Sequence, residues 1–115
     1  MAVYGYARVS TAGQDIEAQV RALQAEGCTD IYSEHFTGTN TNRPVFTELV
    51  AKLQEGDTLV VTKLDRIARS ASQGSELVRE LIDKGVRVNI LNMGVMDNRP
   101  ASKLIRNIFF AFAEF

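Results

Sequence analysis

The sequence predicts an α/β domain built on a mostly parallel sheet, and three observations carry that prediction. Short apolar or alternating stretches recur along the 115 residues, separated by segments with helical spacing, in the order β-α-β-α-β-α-β-α. One of them, "DTLVVTK", is brief and rich in β-branched residues, the pattern of a buried strand. Gly27, Gly56 and Gly85 stand where the helical patterns stop. A composition of 45% hydrophobic and 23% charged residues belongs to a soluble globular domain. A chain of this length forms one such unit and buries well over half of its unfolded surface.

The elements follow in order. Residues 2–9 alternate as a strand, and Ile16, Val20 and Leu23 mark one face of a helix that ends near Gly27. "DIYSEHF" reads as a second strand, and "TGTNTNR" is a polar loop. Pro44 then takes the first helical turn, where its missing N–H costs nothing. Val45, Leu49, Val50 and Leu53 carry that helix toward Gly56. After the third strand, Ser70 and Ser72 are candidate N-caps for a helix whose Leu77, Val78, Leu81 and Ile82 face the core. Gly85 closes it, and "VRVNILN" is a fourth strand. From about Pro100 a last helix carries Leu104, Ile105, Ile108, Phe109, Phe112 and Phe115, apolar around most of its circumference. Such a helix calls for a partner or for more chain.

Several function classes are excluded early. No apolar run approaches the roughly 20 residues that span a bilayer. The N-terminus has no signal-peptide pattern, so a cytoplasmic location is expected. A single cysteine, Cys28, cannot form an internal disulfide, and with His35 as the one histidine no His/Cys metal site is expected. With 13 basic and 14 acidic side chains the net charge is −1, unlike a stand-alone DNA-binding domain. Any anion site must come from local clustering.

That clustering begins in "YGYARVSTAGQD", where a period of two places Arg8 and Ser10 on one face at the end of the first strand. Ligands of open α/β sheets bind outside the carboxyl ends of the strands. The same edge collects Thr37, Thr39 and Arg43 from the second loop, and Lys63, Asp65, Arg66 and Arg69 from "KLDRIAR". Arg66 and Arg69, three apart, share a face in a helical turn. Taken singly, each has a plainer reading: Asp65 paired with its arginine neighbours in a solvated network, Ser10 an ordinary loop residue or N-cap. Three separate loops converging with four arginines, a lysine and a serine favour a phosphate ligand instead. Arginine forks match phosphate oxygens and keep their charge. Beside a phosphate, Ser10 can attack phosphorus and form an ester while the arginines stabilise the growing charge. Asp65 serves either to orient an arginine or to move a proton.

"YARVST", then "R-P" after a polar loop, then "KLDRIARS", resemble the resolvase/invertase family of serine site-specific recombinases, in order and spacing along nearly the whole chain. The resemblance implies a three-layer domain, a central mostly parallel sheet of four to five strands flanked by helices, ending in the start of a long dimerisation helix. It implies DNA as substrate, cleaved through a 5′-phosphoserine link to Ser10, with catalytic roles for Arg8, Arg43, Lys63, Asp65, Arg66 and Arg69. Gln14, Gln19 and Thr37 become supporting or phosphate-binding residues, and neither metal nor other cofactor is called for. As partners it implies a homodimer that assembles to a tetramer around DNA, in a resolvase, invertase or integrase of a mobile element. Ala68 replaces a frequent glycine, Glu34 a frequent aspartate and Thr37 a frequent serine. Similar proteins continue "AEFER" into a DNA-binding domain, whereas this chain stops at "AEF". The expectation is therefore a catalytic domain over residues 1–99, the beginning of an oligomerisation helix over 100–115, weak self-association through that helix, and no DNA-binding domain. The alternative is a flavodoxin-like phosphate- or flavin-binding module, suggested by the "STAGQD" loop. The absence of Trp and an 8% aromatic content weigh against it.

Overall fold

A computed structural model describes residues 1–9, 16–35, 44–63, 66–67, 71–97 and 99. Along the chain run β1 (Val3–Val9), α1 (Ile16–Ala25), β2 (Asp30–His35), α2 (Pro44–Lys52), β3 (Thr58–Val61), α3 (Ala71–Asp83), β4 (Arg87–Ile90) and β5 (Gly94–Met96). The strands form one sheet in the order β2-β1-β3-β4-β5. The first four are parallel, and β5 returns antiparallel to β4.

Side-chain alternation divides the sheet into two faces. Tyr6, Leu59, Val61, Val88 and Ile90 pack with Phe46, Leu49 and Leu53 of the α2 region and with Val78, Leu81 and Ile82 of α3. Ala7 and Val60 point the other way and pack with Leu23, Ile16 and Val20 of α1. The arrangement is thus three layers, with α1 on one face and α2 and α3 on the other. The chain steps from β1 outward to β2, then back past β1 to β3, so the direction of strand addition reverses between β1 and β3. Right-handed crossovers running in opposite directions place their helices on opposite faces, as found. This reversal creates a crevice at the carboxyl ends of β1 and β3.

Local chemistry explains the helix ends. Gly85 has φ 92°, the Val86 N–H donates to Leu81 O (2.9 Å) and the Gly85 N–H to Ile82 O (2.9 Å). This is a Schellman closure, with the apolar Val86 packed into the same core as Leu81. A side chain at position 85 would also meet Glu55, whose Cγ lies 2.6 Å from the place of a Cβ.

The sheet differs from the four alternating units of the sequence by the addition of β5. The expected strand "VRVNILN" stops at Ile90, where the Met93 N–H donates to Ile90 O (2.8 Å) and turns the chain back. Ser72 lies inside α3 and so is not its N-cap, while Ser70 falls outside the described residues. The expected helix and oligomerisation segment over 100–115 also lie outside them. Among the described residues no helix is long and apolar enough to cross a membrane.

At the opposite, amino end of the sheet Asp57 ties the N-terminus to the turn before β3. Its carboxylate accepts the N–H groups of Ala2 (2.9 Å) and Gln54 (2.9 Å), which hold its pKa below the usual carboxylate value. A depressed folded pKa means that this contribution to stability is complete above the unfolded value, about 4. It fades as pH falls through the lower folded value. Asp57→Asn is therefore expected to flatten the acid limb of a stability-versus-pH curve measured by urea unfolding. Parallel curves for both proteins below pH 4 would contradict this role.

Candidate active site at the carboxyl end of the sheet

The crevice is built from the ends of β1 and β3. Carbonyls and amides along a strand alternate between its two neighbours. Ala2 O accepts the Thr58 N–H (2.9 Å) on the β3 side, so Arg8, six residues on, also turns its N–H and C=O toward β3. The β1–β3 register runs from Val3↔Thr58 to Gly5↔Val60, and β3 ends at Val61. Arg8 therefore has no strand beside it on that side.

Gln19 fills the gap. It stands on the buried face of α1 at a spacing (Ile16, Gln19, Val20, Leu23) where an apolar residue would be expected, and it is 4% exposed. Its Oε1 accepts the Arg8 N–H (3.1 Å) and its Nε2 donates to Arg8 O (3.1 Å). One side-chain amide thereby does the work of a strand peptide. Arg66 donates from Nη1 to the same carbonyl (3.1 Å), occupying its second lone pair.

Arg66 reaches that carbonyl because of the turn after β3. The Arg66 N–H donates to Lys63 O (3.2 Å), and Ile67 is fully buried in the core. Ile67 anchors the turn and Arg66 is swung toward the end of β1, with Lys63 exposed beside it. Arg8 itself is 9% exposed. Arg8, Lys63 and Arg66 thereby bring three basic residues to the carboxyl ends of β1 and β3.

The neighbouring acid is Glu34. It is paired with Arg8 in the β1–β2 register and is 7% exposed. Its Oε1 accepts the Tyr6 hydroxyl (2.6 Å) and the Phe46 N–H (3.3 Å), and its Oε2 accepts the Val45 N–H (3.0 Å). Val45 and Phe46 follow Pro44 in the first turn of α2, so the carboxylate caps that helix across the sheet, where the helix dipole favours negative charge. The cap fixes the start of α2, and Arg43 immediately precedes it in sequence.

Of the residues singled out from the sequence, Arg8, Gln19 and Arg66 are joined by hydrogen bonds, and Lys63 sits in the same turn. Ser10, Gln14, Thr37, Arg43, Asp65 and Arg69 lie outside the described residues. Gln19, expected among phosphate-binding or supporting residues, has both amide atoms engaged by the Arg8 backbone. The capping role of Glu34 and the part of Tyr6 went unread. The available signal was an acid in an otherwise half-buried strand, followed by a proline-initiated helix with no N-cap side chain of its own. Thr62, at the end of β3, also has a hydroxyl that is buried and makes no hydrogen bond among the described residues.

Arg8 and Arg66 thus meet at the switch point of the sheet, the place where open α/β sheets bind their ligands. Comparison with known proteins makes the class specific. Residues 3–115 match the family described as "Resolvase, N terminal domain", and the chain belongs to that family. It is 35% identical over 116 residues to a resolvase/recombinase of Pseudomonas putida, covering 99% of this chain and 64% of that one. It is 38% identical over 110 residues to the serine recombinase gin of Escherichia phage Mu, covering 96% of this chain and 57% of the relative. The chain thus spans about three-fifths of the length of these two relatives. Among solved structures, the N-terminal catalytic domain of TP901-1 integrase is similar at a TM-score of 0.73 with 30% identity, over 100% of this chain and 95% of that one. A resolvase family site-specific recombinase from Streptococcus pneumoniae gives a TM-score of 0.75 with 26% identity, over 99% and 86%.

The Glu34 cap is open to a direct test. Glu34→Gln removes the carboxylate charge and replaces one accepting oxygen by an NH2 that faces an existing donor such as the Val45 N–H. It is expected to cost about 1–3 kcal/mol of stability. Tyr6→Phe, which removes one of the donors, is expected to cost about 1 kcal/mol. Chemical denaturation of the three proteins measures both. Wild-type stability of Glu34→Gln would contradict the cap.

Proposed function

We propose that this chain is the catalytic domain of a serine recombinase that cleaves and rejoins DNA at specific sites. The observation that carries the proposal is the meeting of Arg8, Gln19 and Arg66 at the switch-point crevice, with Lys63 beside them, in a chain matched to the resolvase family over residues 3–115. Ser10 lies two residues beyond Arg8 and is the nucleophile of this reading. Its oxygen forms a bond to phosphorus as the bond to the 3′ oxygen breaks. The serine loses a proton, the leaving 3′ oxygen gains one, and a 5′-phosphoserine ester remains. Attack by a 3′-hydroxyl on that ester reverses the step and rejoins the strands, so the bond energy is conserved.

The arginines supply the electrostatic part. Arg8 and Arg66, joined in this reading by Arg43 and Arg69 with Lys63, stabilise charge on the phosphate oxygens. Asp65 orients an arginine or moves a proton, and Gln14 and Thr37 are secondary phosphate contacts. The partners are DNA and further copies of the chain, a dimer that becomes a tetramer when two sites are joined, acting in the cytoplasm. The family match favours this reading over a flavin-binding module.

Two outcomes test it. In the full-length gene product, Ser10→Ala should abolish strand cleavage, and wild-type cleavage products should carry protein on their 5′ ends. Cleavage by the alanine protein at the wild-type rate would refute the mechanism. Because arginine side chains provide the charge stabilisation that metal ions give many nucleases, cleavage should persist in excess EDTA. A complete loss restored by magnesium, with DNA compaction controlled, would point to different chemistry.

A further inference from the structure

We infer that Gln19 is a positioning residue, holding the end of β1 in the place of a missing strand, rather than a ligand of the DNA phosphate. The inference rests on the proposed recombinase reading for its catalytic consequence, but its structural part stands on geometry alone. Both hydrogen-bonding atoms of the Gln19 amide are committed to one peptide neighbour, Oε1 to the Arg8 N–H and Nε2 to Arg8 O, each at 3.1 Å. The residue is 4% exposed, and it occupies an apolar slot of α1 between Ile16 and Leu23. The second N–H of Nε2 is not used by Arg8, but it belongs to a side chain that is almost wholly buried and held in place by the Arg8 peptide, which suits a clamp better than a phosphate contact.

The need for such a clamp follows from the sheet. Beyond Val61 the β1–β3 ladder has ended, yet Arg8 still turns its backbone toward β3 and is 9% exposed. Unpartnered, this buried N–H and C=O would be strongly disfavoured. The Gln19 amide supplies a donor and an acceptor at the spacing of a peptide group, so the strand conformation continues through Arg8. It also leaves the second lone pair of Arg8 O for Arg66 Nη1 (3.1 Å). One amide therefore sets the backbone from which Arg8 projects, and fixes the carbonyl on which Arg66 is docked. Ser10 is two residues further along the same segment.

Gln19→Met keeps the size of the side chain and removes both hydrogen bonds. Gln19→Asn keeps the amide and draws it back by one methylene, providing a second variant should methionine impair folding. In the 115-residue chain, amide exchange of Arg8 followed by NMR is expected to accelerate about tenfold or more in either variant, with the Tyr4 amide unchanged. In the full-length gene product, single-turnover cleavage should slow by about ten- to a hundredfold, as expected when a reacting group is displaced by a fraction of an ångström. DNA affinity should remain that of wild type. A phosphate ligand would show the reverse, with Arg8 exchange unmoved and DNA affinity reduced by about three- to tenfold at constant salt, as for loss of one neutral hydrogen bond. Unchanged Arg8 exchange would overturn the clamp itself. Faster exchange with wild-type cleavage would overturn its catalytic role while leaving the recombinase reading intact. Wild-type protein without Ser10-dependent cleavage would overturn that reading and the positioning role together, with the exchange result still deciding the clamp.

Discussion

The arrangement depends on one constraint, the parting of β1 and β3 where the sheet reverses its direction of growth. A parallel sheet satisfies backbone groups by pairing, and at Arg8 that pairing has run out on one side. The opening must be closed by side chains or left to a ligand. Gln19 and Arg66 close it on the Arg8 backbone. The space beyond, at the carboxyl ends of the strands, is where open α/β sheets receive their ligands and where the proposed function places the DNA phosphate. Structural need and chemical opportunity arise at the same point.

Charge is managed around this opening by separating roles. Glu34 is the nearest acid in the sheet, and its carboxylate is directed to the Tyr6 hydroxyl and the first amides of α2. It therefore stabilises a helix start without occupying the crevice. Asp57 does comparable work at the other end of β3, bonded to Ala2 and Gln54 N–H groups. The net charge of −1 is a property of the whole chain and leaves room for Arg8, Lys63 and Arg66 to gather locally at the carboxyl end.

Most of the architecture was legible from periodicity. The alternation in β1, the β-branched run of β3, and the helical spacing of Leu77, Val78, Leu81 and Ile82 each correspond to observed elements. β5 was not legible as a separate element, because "GVM" is three residues long and its pairing depends on the turn at Ile90–Met93. Arg8, Lys63 and Arg66 could be gathered from the sequence because strand ends define one edge of a sheet. The function of Gln19 could not, because it depends on β1 outlasting β3, a matter of register rather than of residue pattern. For Glu34 the obstacle was similar, since its partners arrive from β1 and α2 and meet only once the sheet is assembled.

The central claim is that the carboxyl end at β1 and β3 is the anion-binding surface of the domain. Titrating the 115-residue chain with a short DNA duplex at low ionic strength, while following backbone amide and arginine Nε–H signals by NMR, tests it most directly. The account predicts shifts concentrated at Arg8, Lys63 and Arg66 that reverse with added salt, with the amino end around Asp57 and Arg87 unmoved. Shifts centred on Asp57 and Arg87, or the absence of any change at Arg8 and Arg66 at saturating DNA, would contradict it.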